Sequence, residues 1–205
     1  MKRALDVVLA TFALAVLAPL LGTLALIVRI DAGRPILFRQ SRSGRGGAPF
    51  TLLKFRTMTV SESTLWDPSH DKVRVTRTGR WLRATSLDEL PSLVNVVRGE
   101  MSLVGPRPLP VQYLARYDDR QARRLEVRPG VTGWAQVNGR NATTWDDRLA
   151  MDVWYVEHRS LPLDLRILAS TLRAVVAREG IDQGAGVTMT EFSGTRSDAS
   201  RDDEP

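Results

Sequence analysis

The sequence predicts an α+β protein that is mostly helical with a small β-hairpin, and that carries an N-terminal re-entrant membrane helix plus interfacial amphipathic helices. Three patterns predict this class: an uncharged run near the N-terminus, two short apolar runs joined by a glycine-rich loop, and apolar residues at helical spacing further on. A chain of 205 residues can bury one domain core. We expect an anchor over residues 1–30, a cytoplasm-facing domain over 31–192 and a disordered tail over 193–205.

The chain is strongly basic, with a formal net charge of +6 and an isoelectric point near 10.4. Arginine supplies nearly all of the positive charge. A basic surface favours anionic partners, whether nucleic acid, anionic lipid head groups or phosphorylated metabolites. The sequence contains no cysteine, which excludes disulfides and thiolate-bound metals.

Residues 7–28 carry no charged side chain, and this run predicts a membrane-associated helix. As a straight helix, these roughly 22 residues would reach about 33 Å, enough to cross the hydrocarbon core of a bilayer. A cleaved signal peptide would have a shorter apolar region ending in small residues, whereas this run continues to Val28.

Pro19 lies a little past the middle of the run, where it removes a backbone hydrogen bond and bends the helix. Positive charges flank the run on both sides, with Lys2 and Arg3 before it and Arg29 and Arg34 after it. The positive-inside rule would hold both ends in the cytoplasm. These observations favour a kinked helix that enters one leaflet and returns, with a single-pass anchor as the alternative.

The next elements are a hairpin and a helix. Residues 36–40 and 49–55 are short apolar or aromatic runs, separated by a flexible basic loop over 41–47. Residues 60–75 are polar and predict a loop. A helix over about 87–98 is expected to end at Gly99, a residue type that favours the position after a helix end.

Three amphipathic helices are predicted downstream, over residues 111–125, 145–157 and 163–178. The apolar face of the last one is formed by Leu165, Leu168, Leu172 and Val176. Its arginines lie elsewhere on the helix, a pattern typical of helices in the head-group plane. Packing against the domain core is an equally good interpretation of this face.

Asp88 and Glu89 form the most informative pair, because arginines surround them in sequence. Six arginines lie within twenty residues of the pair: Arg74, Arg77, Arg80, Arg83, Arg98 and Arg107. Arginine forks bind phosphate oxygens through paired hydrogen bonds. A carboxylate among them can act as a metal ligand or as a nucleophile toward phosphorus. The pattern predicts a site for a phosphorylated substrate.

A structural interpretation of Glu89 is also open, because Ser86 and Glu89 have the spacing of a helix capping box. Pro91 weakens that interpretation, since it would lie past the first turn of such a helix. Asp88 is harder to explain structurally. We expect the helix dipole and the arginines to favour its ionised form.

Two further segments are candidates for ligand binding. Residues 105–108 (GPRP) form a stiff turn from which Arg107 projects, although an ordinary turn with a solvated arginine is the alternative. Residues 128–140 (RPGVTGWAQVNGR) contain three glycines that permit close backbone approach, amide groups, and Trp134, which could stack on a base or sugar. The alternative is a glycine-rich loop with a core tryptophan.

At this point the motifs resemble one family. Residues 54–58 (KFRTM), 86–91 (SLDELP), 101–108 (MSLVGPRP) and 128–140 match, in order and spacing, the bacterial sugar transferases, which are monotopic phosphoglycosyl transferases. The resemblance covers nearly the whole chain to about residue 192. The short length resembles the minimal members, of the undecaprenyl-phosphate diacetylbacillosamine-1-phosphate transferase type.

The resemblance implies a catalytic domain over 31–192 that moves a sugar-1-phosphate from a UDP-sugar to polyprenyl (undecaprenyl) phosphate, releasing UMP, with Mg²⁺ as cofactor. Asp88 matches the nucleophile that forms a phosphosugar–aspartate intermediate, and Glu89 its acidic partner; both are candidate Mg²⁺ ligands. Pro19 matches the proline that breaks the re-entrant helix. The candidate substrate-binding residues are Lys54, Arg83, Arg107, Arg128, Gln136, Asn138 and Arg140.

The resemblance also implies a place and partners: the cytoplasmic face of the bacterial inner membrane, contact with membrane lipid, no nucleic acid, and a possible homodimer. The donor is expected to carry an N-acetylated amino or diamino sugar, with glucose or galactose as the alternative. Two other functions remain open. One is a glycosyltransferase that releases UDP, and the other is a membrane-anchored, non-catalytic protein that binds anionic lipid or nucleic acid.

Overall fold

A computed structural model describes residues 1–59, 74–139, 143–177 and 191–194. Most of the predicted 60–75 loop, Arg140 and the tail beyond residue 194 lie outside the described residues. The described chain is mostly helical with two small sheets, so the predicted class is confirmed in outline and extended by one sheet.

Two helices form the N-terminus, α1 (Lys2–Val16) and α2 (Ala18–Asp31), and their axes are bent by 64°. The break lies at Leu17, and Pro19 occupies the first turn of α2, where its missing N–H costs least. Among the residues described, no single helix is long and apolar enough to cross a membrane, while the bent pair together has that length and composition. The predicted bend near Pro19 is confirmed.

Polar contacts fix the start of α1 to the rest of the molecule. Arg3 Nη1 donates to the carbonyl of Val96 at 2.7 Å. Asp6 is buried and accepts a hydrogen bond from Ser102 Oγ at 2.8 Å. Because a buried carboxylate needs such partners, these contacts hold the first turns of α1 in one position on the domain.

The predicted hairpin is present. Strand β1 (Leu37–Ser43) pairs antiparallel with β2 (Pro49–Phe55), with Leu37 opposite Phe55 and Ser43 opposite Pro49. A short 3₁₀ turn (Arg45–Gly47) closes the loop, and Gly46 there has a φ of 66°, a conformation that glycine adopts without strain.

Helix α3 (Arg77–Ala84) follows the hairpin and was not predicted. The predicted 87–98 helix is divided into a 3₁₀ turn (Leu87–Ser92), which contains Pro91, and α4 (Leu93–Arg98). The predicted end at Gly99 is confirmed, because this residue adopts a left-handed conformation with φ of 89°.

A second sheet was missed by the sequence analysis. Strand β3 (Ser102–Val104) pairs in parallel with β4 (Gly130–Thr132). Strands of three residues are too short to show an alternating pattern, and their pairing joins segments far apart in the chain.

The helix predicted over 111–125 is wrong as a continuous element. The chain instead forms a 3₁₀ turn (Val111–Arg116), a short α5 (Asp119–Ala122) and a second 3₁₀ turn (Arg123–Glu126). Tyr117 is extended between them, and Asp118 begins α5 with a capping box to Gln121. A new N-cap in mid-segment explains the division.

Three helices complete the described fold: α6 (Trp134–Asn138), α7 (Trp145–His158) and α8 (Leu161–Ala177). The two long helices confirm the predictions over 145–157 and 163–178. Helix α8 buries Ile167, while Leu165 and Leu172 of the predicted apolar face are exposed. The helix therefore packs on the core through one side and presents apolar residues on another.

Candidate active site

Six of the predicted site residues line one open cleft: Lys54, Arg83, Asp88, Glu89, Arg107 and Gln136. Within the described residues, Arg128 and Asn138 do not line it. Arg140 lies outside the described residues, so its predicted role stays a prediction. The cleft brings together positions that lie more than eighty residues apart.

Each side of the cleft is placed by a different element. Strand β2 carries Lys54, and helix α3 carries Arg83, whose Nε donates to Thr57 Oγ1 at 2.9 Å. Helix α3 lies directly on the end of β2: a Cβ added to Gly79 would come within 2.0 Å of the Thr57 carbonyl oxygen. Glycine at position 79 therefore permits the approach that places Arg83.

The two carboxylates lie on the 3₁₀ turn between α3 and α4. Ser86 precedes them in a left-handed conformation, with φ of 55°, which is strained for a residue other than glycine. Its side chain forms no capping hydrogen bond. The capping-box interpretation of Ser86 and Glu89 is therefore wrong, and the Glu89 carboxylate is free for other contacts.

Glu89 is bound by two cations. Lys54 Nζ lies 2.6 Å and Arg107 Nη2 lies 2.8 Å from the same oxygen, Oε1. Although burial opposes ionisation, the charges of Arg107 and Lys54 lower the pKa of Glu89 to about 2. Glu89 is thus a fixed anion near neutral pH, and it orients both cations.

Asp88 differs from Glu89 in its contacts and in the direction of its pKa shift. Its side chain is 9% exposed and makes no hydrogen bond or ion pair within the described residues. Burial and then the charge of Glu89 raise its pKa to about 6, against the opposing influence of nearby cations. The arginines favour ionisation, as predicted, but burial and Glu89, which the prediction did not include, outweigh them. Asp88 is an unpartnered carboxylate that is still mostly ionised at pH 7.

The donor set of this turn fits a magnesium ion. Both cations contact Oε1 of Glu89, so Oε2 and the two oxygens of Asp88 accept no hydrogen bond from any described residue. The described chain has no cluster of three or more acidic or histidine ligands. This matches Mg²⁺, which commonly uses one or two carboxylates and takes its other ligands from substrate phosphates and water.

Arg107 is supported by a buried pair that the sequence analysis missed. Arg124 donates to the carbonyl of Arg107 at 2.6 Å and to Asp152 Oδ2 at 2.7 Å. Tyr117 accepts a third hydrogen bond from Arg124 at 3.2 Å. Each of these partners lies 28 or fewer positions from Arg124, but they share no local pattern with it, so no spacing rule would have identified them.

The glycine-rich segment packs against the turn that carries Arg107. A Cβ on Gly130 would lie 2.1 Å from the backbone nitrogen of Gly105. The predicted close approach is therefore present, and its partner is protein backbone. Trp134 is partly buried against the core cluster of Val104, Tyr155 and Ile167, and it stacks on the exposed Trp154 with ring centroids 4.6 Å apart.

The polar residues of this segment divide into two groups. Arg128 Nε donates to the carbonyl of Gly99 at 2.8 Å, and Asn138 Nδ2 donates to the carbonyl of Trp134 at 3.0 Å. Gln136 lines the cleft, and both polar atoms of its amide are buried without a partner. Of the three, Gln136 is the one positioned to meet a ligand in the cleft.

Comparison with known proteins identifies the family. The model of the family described as "Bacterial sugar transferase" matches residues 1–178. An uncharacterized sugar transferase, EpsL, of Bacillus subtilis (strain 168) is 48% identical over 195 residues, which is 95% of this chain and 96% of the relative.

Two relatives with more specific names are also similar. A UDP-glucose:undecaprenyl-phosphate glucose-1-phosphate transferase of Caulobacter vibrioides is 44% identical over 87% of this chain and 70% of its own length. An undecaprenyl-phosphate galactose phosphotransferase of Salmonella typhimurium is 38% identical over 88% of this chain. This chain spans only 41% of the Salmonella protein. The match over residues 1–178 and the near full-length relative show that the chain belongs to the bacterial sugar transferase family.

Proposed function

We propose that the protein is a phosphoglycosyl transferase, which moves a sugar-1-phosphate from a UDP-sugar to undecaprenyl phosphate and releases UMP. The observation that carries the proposal is Asp88: a buried carboxylate without a partner among the described residues, beside a Glu89 that is bound by Lys54 and Arg107. The names of the relatives from Caulobacter and Salmonella support the two substrates.

In the first step, an oxygen of ionised Asp88 attacks the phosphorus that carries the sugar. The bond from that phosphorus to the bridging oxygen breaks, and UMP leaves with the electron pair. An acyl phosphate linking Asp88 to the sugar phosphate remains. No proton has to move, so the cleft must mainly position the groups and neutralise charge, which Arg83, Arg107 and Lys54 can do.

In the second step, an oxygen of undecaprenyl phosphate attacks the same phosphorus. The bond to Asp88 breaks, the carboxylate is restored, and the product is a sugar diphosphate on the lipid. A lipid phosphate is an anionic nucleophile near neutral pH, so this step needs no general base. Asp88 and Glu89 are the residues that would hold Mg²⁺ when the UDP-sugar binds, and the ion would supply charge neutralisation on the donor diphosphate in the first step.

The bent pair of helices, α1 and α2, would hold the cleft at the membrane surface. Val8, Phe12 and Ile30 are among the exposed apolar side chains of α1 and α2, and burying them in lipid would be favourable. We propose that the pair enters the cytoplasmic leaflet of the inner membrane and returns, with the cleft at head-group level. A lipid phosphate and a soluble nucleotide-sugar can meet there.

We propose two classes of sugar for the UDP-sugar donor. One class is an N-acetylated amino or diamino sugar, and the other is glucose or galactose. The relatives from Caulobacter and Salmonella are named for glucose and galactose. A donor panel must therefore contain both classes.

The test is UMP release by the protein in nanodiscs with undecaprenyl phosphate, Mg²⁺ and the panel of UDP-sugars. We expect UMP with one donor class, and a loss of at least about 10⁴-fold in Asp88→Ala, because the nucleophile is removed. The control is Asp119→Ala, which removes an exposed aspartate from the first turn of α5 and should leave the rate unchanged.

Other outcomes would contradict the proposal. Release of UDP would indicate transfer of the sugar alone. Folded protein that releases no nucleotide with any donor, and that binds anionic vesicles equally well with and without Asp88, would indicate a non-catalytic binding protein.

A further inference from the structure

Two arginines that were not predicted as site residues line the same cleft, Arg42 at the end of β1 and Arg148 on α7. Three other cations of the cleft contact a carboxylate: Arg107 and Lys54 share Glu89, and Arg124 pairs with Asp152. Neither of the two additional arginines pairs with a carboxylate in the described part of the chain. Like Arg83, which also lines the cleft, they carry a positive charge that forms no ion pair with a described residue.

Arg42 is held by two hydrogen bonds, but its Nε has no partner among the described residues. Its Nη1 donates to the carbonyl of Pro108 at 3.3 Å, and its Nη2 donates to Gln40 Oε1 at 2.5 Å. Its Nε is buried and has no hydrogen-bond partner. Burial, and then repulsion by Arg107, lower the pKa of Arg42 to about 10. A buried N–H without a partner is costly, and an anion would remove that cost.

Arg148, on helix α7, also has nitrogens that donate to no described residue. Its Nε donates to Thr143 Oγ1 at 3.2 Å, which leaves its terminal nitrogens without a partner among described residues. Burial and then the charge of Arg107 lower its pKa too. Arg42 contacts the carbonyl of Pro108, next to Arg107, and Arg148 lies one helical turn before Asp152, whose partner Arg124 donates to the carbonyl of Arg107. Both arginines therefore lie beside the turn that carries Arg107 and line the same cleft.

We infer that Arg42 and Arg148, together with Arg107, form a second anion subsite that binds a phosphate monoester. This inference rests on the proposed function, which supplies two such groups: the phosphate of the UMP leaving group and that of the lipid acceptor. Three convergent guanidinium groups suit a dianionic phosphate. Arg107 would then link this subsite to the reacting phosphorus at Asp88.

Packing favours the nucleotide as the source of that phosphate. Leu149, next to Arg148, belongs to a core cluster with Tyr113 and Tyr117, and this cluster contains no residue of α1 or α2. The turn that carries Asp88 instead packs, through Leu87, on a cluster that includes Leu24 of α2. The lipid acceptor is expected on the anchor side, so the arginines on the other side are left for the soluble nucleotide.

The experiment measures UMP binding by calorimetry in nanodiscs for the wild type, Arg42→Gln and Arg148→Gln. We expect each substitution to raise the Kd for UMP about 10- to 100-fold, which is the loss of a charge-assisted hydrogen bond. Arg148→Lys keeps the charge and should restore part of the affinity. Arg45→Gln is the matched control, because Arg45 follows the same strand, is exposed and does not line the cleft.

The KM for undecaprenyl phosphate, measured on the same variants, separates the two phosphate sources. A rise in this KM with unchanged UMP affinity would assign the subsite to the lipid and overturn the nucleotide assignment. Wild-type UMP affinity in both glutamine variants, with unchanged lipid KM, would mean that Arg42 and Arg148 only support the fold. Because UMP binding does not require turnover, absence of catalysis in the wild type would count against the proposed function and not against the subsite.

Discussion

Two groups of carboxylates and cations lie on either side of the turn that carries Arg107, and they differ in how completely they are paired. In the closed group, Arg124 and Asp152 are both almost fully buried, and Arg124 uses its donors on Asp152, Tyr117 and a backbone carbonyl. In the open group, Glu89 binds Arg107, whose side chain is 47% exposed, while Asp88 has no partner in the described chain.

This difference distinguishes residues that support the fold from residues that can take part in the reaction. Arg124 makes four hydrogen bonds to Asp152, Tyr117 and the carbonyl of Arg107, so the closed group holds the turn in place. The open group keeps a free carboxylate and half-exposed donors beside a cleft. Arg107 belongs to both, since its carbonyl is fixed by one group and its guanidinium serves the other.

The largest effect should come from breaking the closed group. In Asp152→Ala, Arg124 keeps a buried charge without its carboxylate, and we expect a loss of about 3–5 kcal/mol in the free energy of unfolding. Chemical unfolding in detergent measures it. The control is Glu126→Ala at the exposed Arg123–Glu126 pair, where less than about 1 kcal/mol should be lost. Equal losses in the two variants would contradict the supporting role of the closed group.

The sequence was sufficient for features that depend on near neighbours. The hairpin, the end of a helix at Gly99 and the two long C-terminal helices follow from turn residues and periodicity. The grouping of Lys54, Arg83, Asp88, Glu89 and Arg107 came from motif resemblance, and the cleft contains all five. From the local sequence alone, Glu89 could be either a helix-capping residue or a residue of the site.

What failed depends on contacts between distant segments. The β3–β4 pair joins strands with more than twenty residues between them, and the pair of Arg124 and Asp152 spans 28 positions. The raised pKa of Asp88 was not predicted, because burial, which no local pattern shows, outweighs the neighbouring arginines. Arg42 and Arg148 were missed because a hairpin end and a helix meet only in the folded chain.

A smaller effect is expected from changing the open group without removing its nucleophile. In Glu89→Gln, Lys54 and Arg107 lose the anion that orients them, and we expect UMP release to slow about 100-fold. The substitution also removes the negative charge of Glu89, which helps to raise the pKa of Asp88. In a plot of rate against pH, the fall in rate on the acid side should therefore occur at a lower pH than the wild-type value of about 6.

The measurement is the single-turnover release of UMP without acceptor, because the lipid phosphate would add its own titration near the same pH. Glu157→Gln, at the exposed pair with Arg123, is the control and should leave rate and limb unchanged. A limb that stays at its wild-type position in Glu89→Gln would assign the titration to a group other than Asp88.

The smallest effect is a gain in stability when the open group loses its unpartnered charge. The pKa of Asp88 is raised from an ordinary 3.8 to about 6, so folding favours the protonated form. The stability that the protonated side chain gives is fully present below pH 3.8 and is lost as the pH rises through 6. Asp88→Asn cannot ionise and should be more stable than the wild type by on the order of 3 kcal/mol at pH 8. Unfolding in detergent at pH 4 and pH 8 tests this, with near-equal stability expected at pH 4; a gain of equal size at both values would mean that ionisation of Asp88 is not its cause.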